Sequence, residues 1–238
     1  MAKPREIRIQ TSILATIEKK CLIWLAHRLP LAVNSDHLTA LGAVALVGVG
    51  ISYWIAPGYP LALFAAVVLL AVNWFGDSLD GTLARVRGHE RPRYGFYVDH
   101  VLDALGMLFI MGGLVLGGFM SALVGAGFLI AYYLLNVEIA LATHTVGTFR
   151  ISYWKFGPTE LRILLAAGTL QLLRSPLVDI FGSAFLLFDV GGVVAIAALL
   201  VTFITSSVTN TALLYKAEPL PARDQGIGRP LNLLKADS

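Results

Sequence analysis

Charge is scarce in this chain and cysteine nearly absent. Charged residues make up 14% of the 238 positions, against roughly 25% in soluble domains. The lone Cys21 excludes an internal disulfide and any multi-cysteine metal cluster. No internal repeat is visible, and no small-residue cleavage site follows the basic opening MAKPREIRIQ, so no signal peptide is expected. What is plentiful is apolar surface: 57% hydrophobic residues and a mean hydropathy of +0.74. That composition predicts an integral membrane protein with one domain. A pI of 9.1 does not point to nucleic acid, because the basic residues flank apolar runs and suit lipid headgroups instead.

Crossing a bilayer as a helix takes roughly 20 apolar residues. Runs near Leu38–Ala56, Leu61–Leu83, Phe96–Phe119, Ser121–Thr143, Leu161–Leu173 and Ala184–Leu214 predict an all-α bundle of six transmembrane helices. The fifth is short, with Thr159 as an alternative start. The sixth is long, and Asp189, Gly191 and Gly192 blur its beginning. Ahead of them, Ile9, Ile13, Ile17, Leu22 and Leu25 recur at near-helical spacing against Glu18, Lys19, Lys20 and Arg28. This predicts an interfacial amphipathic helix over Ile7–Arg28. The expected organisation is an N-terminal arm (1–36), a catalytic membrane body (37–216) and a tail (217–238).

Lysine and arginine sort the connections. Every one but Arg174 falls in the N-terminal arm, the second-to-third connection, the fourth-to-fifth connection with Arg162 just beyond it, or the tail. The positive-inside rule then places both termini in the cytoplasm, in a plasma membrane expected to be bacterial.

Four aspartates interrupt this apolar background: Asp77, Asp80, Asp99 and Asp103. Carboxylates at membrane depth are costly and mark functional sites. The two spacings, three and four residues, put each pair on one face of a helix. Two such helices facing each other gather four negative charges, which a cation must neutralise. All-oxygen ligands suit Mg²⁺, Mn²⁺ or Ca²⁺ rather than zinc. The motif straddles the second-to-third connection, so the site opens to the cytoplasm.

The full stretch Asp77–Asp103 reads D-x-x-D-G-x-x-A-R-x(9)-G-x-x-x-D-x-x-x-D. It resembles the signature of the CDP-alcohol phosphotransferase family at every fixed position. Asn34–Thr39 (N-S-D-H-L-T) is similar, in a looser form, to the family's lead-in to the first span; Val33 replaces the usual proline. The resemblance implies a membrane enzyme of phospholipid synthesis that transfers a substituted phosphate from a CDP-alcohol to an alcohol or lipid hydroxyl and releases CMP. It implies Mg²⁺ or Mn²⁺, two ions, and a homodimer. Asp77, Asp80 and Asp99 would hold metal, and Asp103 would help hold a second ion or act as general base. Asp77, Gly81, Ala84, Arg85 and Gly95 would form the nucleotide side. Gly81 would let the nucleotide approach the helix, Ala84 would leave room beside it, Arg85 would pair with phosphate or steady a carboxylate, and Gly95 would permit close packing of the third helix. His89 is expected in a solvated loop and His100 packed or facing headgroups.

A second cluster, GTFRISYWKFGPTELR over Gly147–Arg162, carries Arg150, Lys155 and Arg162. It reads either as a positive-inside anchor with interfacial aromatics or as an acceptor site. Three cations suit a phosphorylated acceptor and hence CDP-diacylglycerol as donor. Its G-P-T-E segment instead resembles the aminoalcohol phosphotransferase branch, which joins CDP-choline or CDP-ethanolamine to diacylglycerol. Glu138 and His144 are candidates for the same cavity. The alternative of a different class, a cation transporter with aspartates along its path, leaves Gly81, Ala84 and Arg85 without a purpose.

Overall fold

The computed structural model describes residues 7–9, 15–146, 148–150 and 158–218. Seven helices follow in order: α1 Ala15–Ala26, α2 Ser35–Ile55, α3 Ala62–Arg87, α4 Pro92–Leu116, α5 Ala122–Thr145, α6 Pro158–Leu172 and α7 Leu187–Ala217. Strand β1, Ile7–Ile9, pairs in parallel with β2, Thr148–Arg150, and a hairpin of β3, Leu177–Ile180, and β4, Ser183–Leu186, joins α6 to α7. The all-α membrane bundle is therefore as expected, with two local differences.

Five helices, α2 to α5 and α7, are long and apolar enough to span a membrane. The remaining predicted span is α6, with 15 residues, about 22 Å of helix against a hydrocarbon core of about 30 Å. Its apolar run is cut at the far end by the β-hairpin, whose paired backbone satisfies its own polar groups. The N-terminal helix is likewise shorter than the expected Ile7–Arg28. It starts at Ala15, and Ile7–Ile9 is extended because it finds a strand partner 141 positions away, Ile7 opposite Thr148.

Capping explains several boundaries. Asn34 accepts a 2.9 Å bond from the His37 backbone N–H, and His37 returns the contact, a capping box at the start of α2. Gly88, at φ +66°, closes α3 in the left-handed conformation, which costs glycine little. Pro92 then opens α4 at the first helical position. This tight reversal lays α4 beside α3. Asp189, which blurred the start of the last span, lies in the first turn of α7 and accepts the Ser121 N–H at 2.7 Å.

The core lies where α2 meets α3, α4 and α6. Val49, Tyr53, Ala66 and Leu114 are fully buried there. Small residues let the backbones approach, as they do in membrane bundles. A Cβ on Gly76 of α3 would sit 2.5 Å from the Leu38 carbonyl oxygen and 2.7 Å from the Gly42 nitrogen of α2. Tyr53 and Thr169 share a buried 2.6 Å hydroxyl–hydroxyl bond between α2 and α6. Helix α1 buries Leu22 and Ala26 against Leu79 and Leu83 of α3. Its other face exposes Lys19, Lys20 and Trp24, with the Arg28 guanidinium 3.9 Å from the Trp24 ring centre.

Candidate active site

The α2–α3 crossing at Gly42 and Gly76 and the reversal at Gly88 bring the two aspartate pairs face to face. Asp77, Asp99 and Asp103 each offer a carboxylate oxygen within 4.8 Å of the others, all half-buried. Asp80 lines the same cavity, together with Thr39, Gly42 and Asn73. Its Oδ2 accepts a 2.5 Å bond from Thr39 Oγ1, and its Oδ1 accepts the Gly81 backbone N–H. The cavity measures ≈ 10 Å³, room for about one water-sized body. Three converging carboxylates in so small a space are an all-oxygen donor set of the kind hard divalent cations require. The residues therefore fit Mg²⁺ or Mn²⁺.

Helix α6 delivers a cation to this cluster. Arg162 Nη2 donates to Asp77 Oδ2 at 2.5 Å, and its Nε donates to Asn73 Oδ1 at 2.7 Å. Asn73 is buried and donates in turn to the Gly42 carbonyl at 3.1 Å. Arg162 has five N–H donors, so two of its bonds orient it and others stay available to an anion. Of the three basic candidates in the second cluster, Arg162 reaches the aspartates. Arg150 lies on strand β2, opposite Ile9, and Lys155 lies outside the described residues.

A larger pocket, ≈ 410 Å³, opens between the start of α2 and the α3–α4 connection. Asn34, Asp36, Ala84, Arg87, His89 and Arg91 are among its lining residues. Arg87 donates to the carbonyls of Leu29, Pro30 and Val33 and so fixes the α1–α2 connection that forms one wall. Arg91 pairs with Asp36 across the mouth. Ala84 faces this pocket, whereas the Arg85 guanidinium folds back along α3, donating to Thr82 Oγ1 at 3.1 Å.

Some expected roles change. Among the described residues, a Cβ on Gly95 would meet nothing within 4 Å, so the close helix packing expected there has no counterpart among them. Glu138 does not join the aspartate cavity. Its Oε1 accepts from Ser206 at 2.9 Å and Asn210 at 2.7 Å, tying α5 to α7. His144 instead meets the Phe96 ring edge-on at 6.1 Å. His100 is packed, bonded to the Phe96 carbonyl at 2.9 Å, and His89 is exposed. Thr39 appeared in the sequence only within the loose lead-in motif. Asn73 carried no signal beyond being a polar residue four positions before Asp77, on the same helix face.

The sequence that builds this arrangement is similar to known proteins. One relative, the archaetidylinositol phosphate synthase of Methanothermobacter thermautotrophicus, is 30% identical over 113 residues, 45% of this chain. The match spans 55% of that relative, about half its length. Residues 33–210 match the family model of the CDP-alcohol phosphatidyltransferases, transferases of substituted phosphate groups. That segment runs from the foot of α2 to the last third of α7 and holds both aspartate pairs, Thr39, Asn73 and Arg162. The match therefore covers the bundle and its carboxylate cluster together, and the chain belongs to the CDP-alcohol phosphatidyltransferase family.

Proposed function

We propose that this protein transfers the phosphatidyl group of CDP-diacylglycerol to a phosphorylated, water-soluble alcohol, releasing CMP. The observation that carries this reading is the meeting of Arg162 with the Asp77–Asp99–Asp103 cluster. A guanidinium beside the metal-binding carboxylates suits an acceptor that brings its own phosphate, since bidentate arginine–phosphate contacts are strong and directional. A neutral diacylglycerol acceptor would have no use for that charge. The product named for the archaeal relative likewise carries a phosphorylated inositol. Arg150 and Lys155 add two further cations to the same stretch of sequence.

The chain's residues divide the work by chemistry. Asp77, Asp80, Asp99 and Asp103 would hold two ions of Mg²⁺ or Mn²⁺, which supply charge neutralisation and polarisation of the pyrophosphate. Gly81, Ala84, Arg85 and Gly95 flank the nucleotide, with Ala84 facing the larger pocket and Gly95 leaving open space. Asp103 takes the proton of the acceptor hydroxyl, whose oxygen attacks the phosphorus bearing the diacylglycerol. The bond from that phosphorus to the CMP oxygen breaks, and CMP leaves.

The positive-inside pattern puts this mouth and both termini in the cytoplasm, where nucleotide and acceptor are dissolved. Residues 37–216 form the catalytic body, 1–36 an arm and 217–238 a tail. The family match over 33–210 supports that division. The exposed apolar side chains Val194, Val201 and Val208 along α7 face lipid or the second copy of a homodimer. Mn²⁺ titration followed by electron paramagnetic resonance tests the site. Two bound ions per chain, lost in Asp77→Asn, support it; unchanged binding in all four aspartate-to-asparagine variants refutes it.

A further inference from the structure

The polar bond network does not end at Arg162. Glu18, on the N-terminal helix α1, gathers three donors on one carboxylate oxygen. Its Oε1 accepts from Trp74 Nε1 at 2.8 Å, from Thr159 Oγ1 at 2.8 Å and from Ser78 Oγ at 3.3 Å. Trp74 and Ser78 are one turn apart on α3 and flank Asp77 in sequence. Thr159 lies in the first turn of α6, three residues before Arg162. Among the described residues, α1, α3 and α6 converge on this one side chain. Its second oxygen is buried and has no partner among the described residues, which is costly for a carboxylate unless the group is needed where it is.

The need follows from how α6 is held. Thr159, Arg162 and Thr169 fall on one face of the helix. They tie α6 to Glu18, to Asp77 and Asn73, and to Tyr53 respectively. The Tyr53–Thr169 bond lies ten residues along from Thr159, about 15 Å away. On the reading proposed above, Arg162 keeps its bonds to Asp77 and Asn73 and turns its remaining N–H donors toward an incoming phosphate. Its aim at that phosphate depends on where the start of α6 is held, and Thr159, three residues before it, is bonded to Glu18. We infer that Glu18 is that anchor: a positioning residue that fixes the start of α6 against α3 and so sets Arg162 at the aspartate site. The N-terminal helix is then part of the machinery rather than only a membrane attachment.

Charge-assisted bonds to one oxygen are stronger than neutral ones, and glutamine keeps an acceptor oxygen in the same place. Glu18→Gln is therefore expected to preserve the arrangement in large part. Glu18→Ala removes it. Thr159→Val removes only the α6 link and leaves α1 docked on Trp74 and Ser78, so it remains informative if the alanine variant folds poorly.

Two measurements test the inference. In a Cys21→Ser background, spin labels at Val68→Cys of α3 and Leu164→Cys of α6, both exposed, report the separation of the helices whatever the acceptor is. The distance distribution should stay narrow in the parent and in Glu18→Gln, and broaden in Glu18→Ala and Thr159→Val. Steady-state kinetics should show the acceptor KM rising about tenfold in the two disrupting variants, with the donor KM little changed and Glu18→Gln restoring most of the loss. An unchanged distribution in both disrupting variants overturns the inference, as does an equal rise in both KM values. Broadening in a protein that uses no phosphorylated acceptor upholds the anchor and refutes only the acceptor assignment.

Discussion

Arg162 Nη2 lies 2.5 Å from Asp77 Oδ2, joining α6 to the first aspartate of the signature. Both side chains are largely removed from solvent, with 16% and 25% exposure. At such a site neither charge is well solvated alone, and removing one partner leaves the other uncompensated. The pair also fixes direction: Asn73 holds the Arg162 Nε edge at 2.7 Å, so the guanidinium is aimed before any substrate arrives.

Arg162 substitutions should therefore separate charge from geometry. Arg162→Ala is expected to raise the acceptor KM by about 10- to 100-fold, the loss of one or two charge-assisted bonds. Arg162→Lys should recover little, since an ammonium cannot bond Asn73 and Asp77 as a fork. Initial-rate kinetics with each substrate varied in turn checks this. Equal effects on donor and acceptor would make Arg162 a general phosphate clamp.

The aspartates should divide by role. Asp77→Asn and Asp99→Asn are expected to lose metal binding and turnover together. Asp103→Asn should lose about 10²- to 10⁴-fold in rate, the usual worth of a general base, while keeping more donor affinity. Thr39→Val should weaken activity through Asp80, whose Oδ2 it holds. Near-normal turnover in Asp103→Asn would remove it as the base.

Two glycines make a matched pair. Gly76→Ala forces a Cβ to 2.5 Å from a backbone carbonyl, so the α2–α3 crossing must open, at a cost of about 1–3 kcal/mol or more. The thermal midpoint and activity should fall together. Gly95→Ala meets nothing within 4 Å among the described residues. It should leave the midpoint unchanged and, on the proposed placement of the nucleotide beside Gly95, raise the donor KM. A lowered midpoint in Gly95→Ala would return that glycine to a packing role.

Much of this was legible before the structure. Carboxylates inside apolar runs are conspicuous because membrane burial makes them costly, and their three- and four-residue spacing carries the facing helices with it. The limits of α6 were not legible, because apolar content alone does not separate a full span from a short helix followed by a hairpin of similar composition. The β1–β2 pair was hidden for another reason. Its strands lie far apart in sequence, and isoleucines at near-helical spacing look the same in either state. Glu18, Asn73 and Thr39 resemble ordinary polar residues until the fold brings them to Thr159, Arg162 and Asp80. Arg162 was visible as a cation, but its partner was not.

Orientation is open to a simple check. A reporter fused at Gly58, in the α2–α3 connection, should lie outside, and one at Arg91, in the α3–α4 connection, should lie in the cytoplasm. Accessibility labelling in intact cells reads both. A cytoplasmic Gly58 would invert the protein and put the aspartate site on the wrong side for its nucleotide.

The decisive assay is CMP release by the purified protein in detergent, with Mg²⁺ or Mn²⁺ present and then chelated. CDP-diacylglycerol with an inositol phosphate or glycerol 3-phosphate should release CMP, and chelation should abolish it. Turnover confined to CDP-choline or CDP-ethanolamine with diacylglycerol would contradict the proposed donor and acceptor. Undiminished release after chelation would contradict the carboxylate metal site itself.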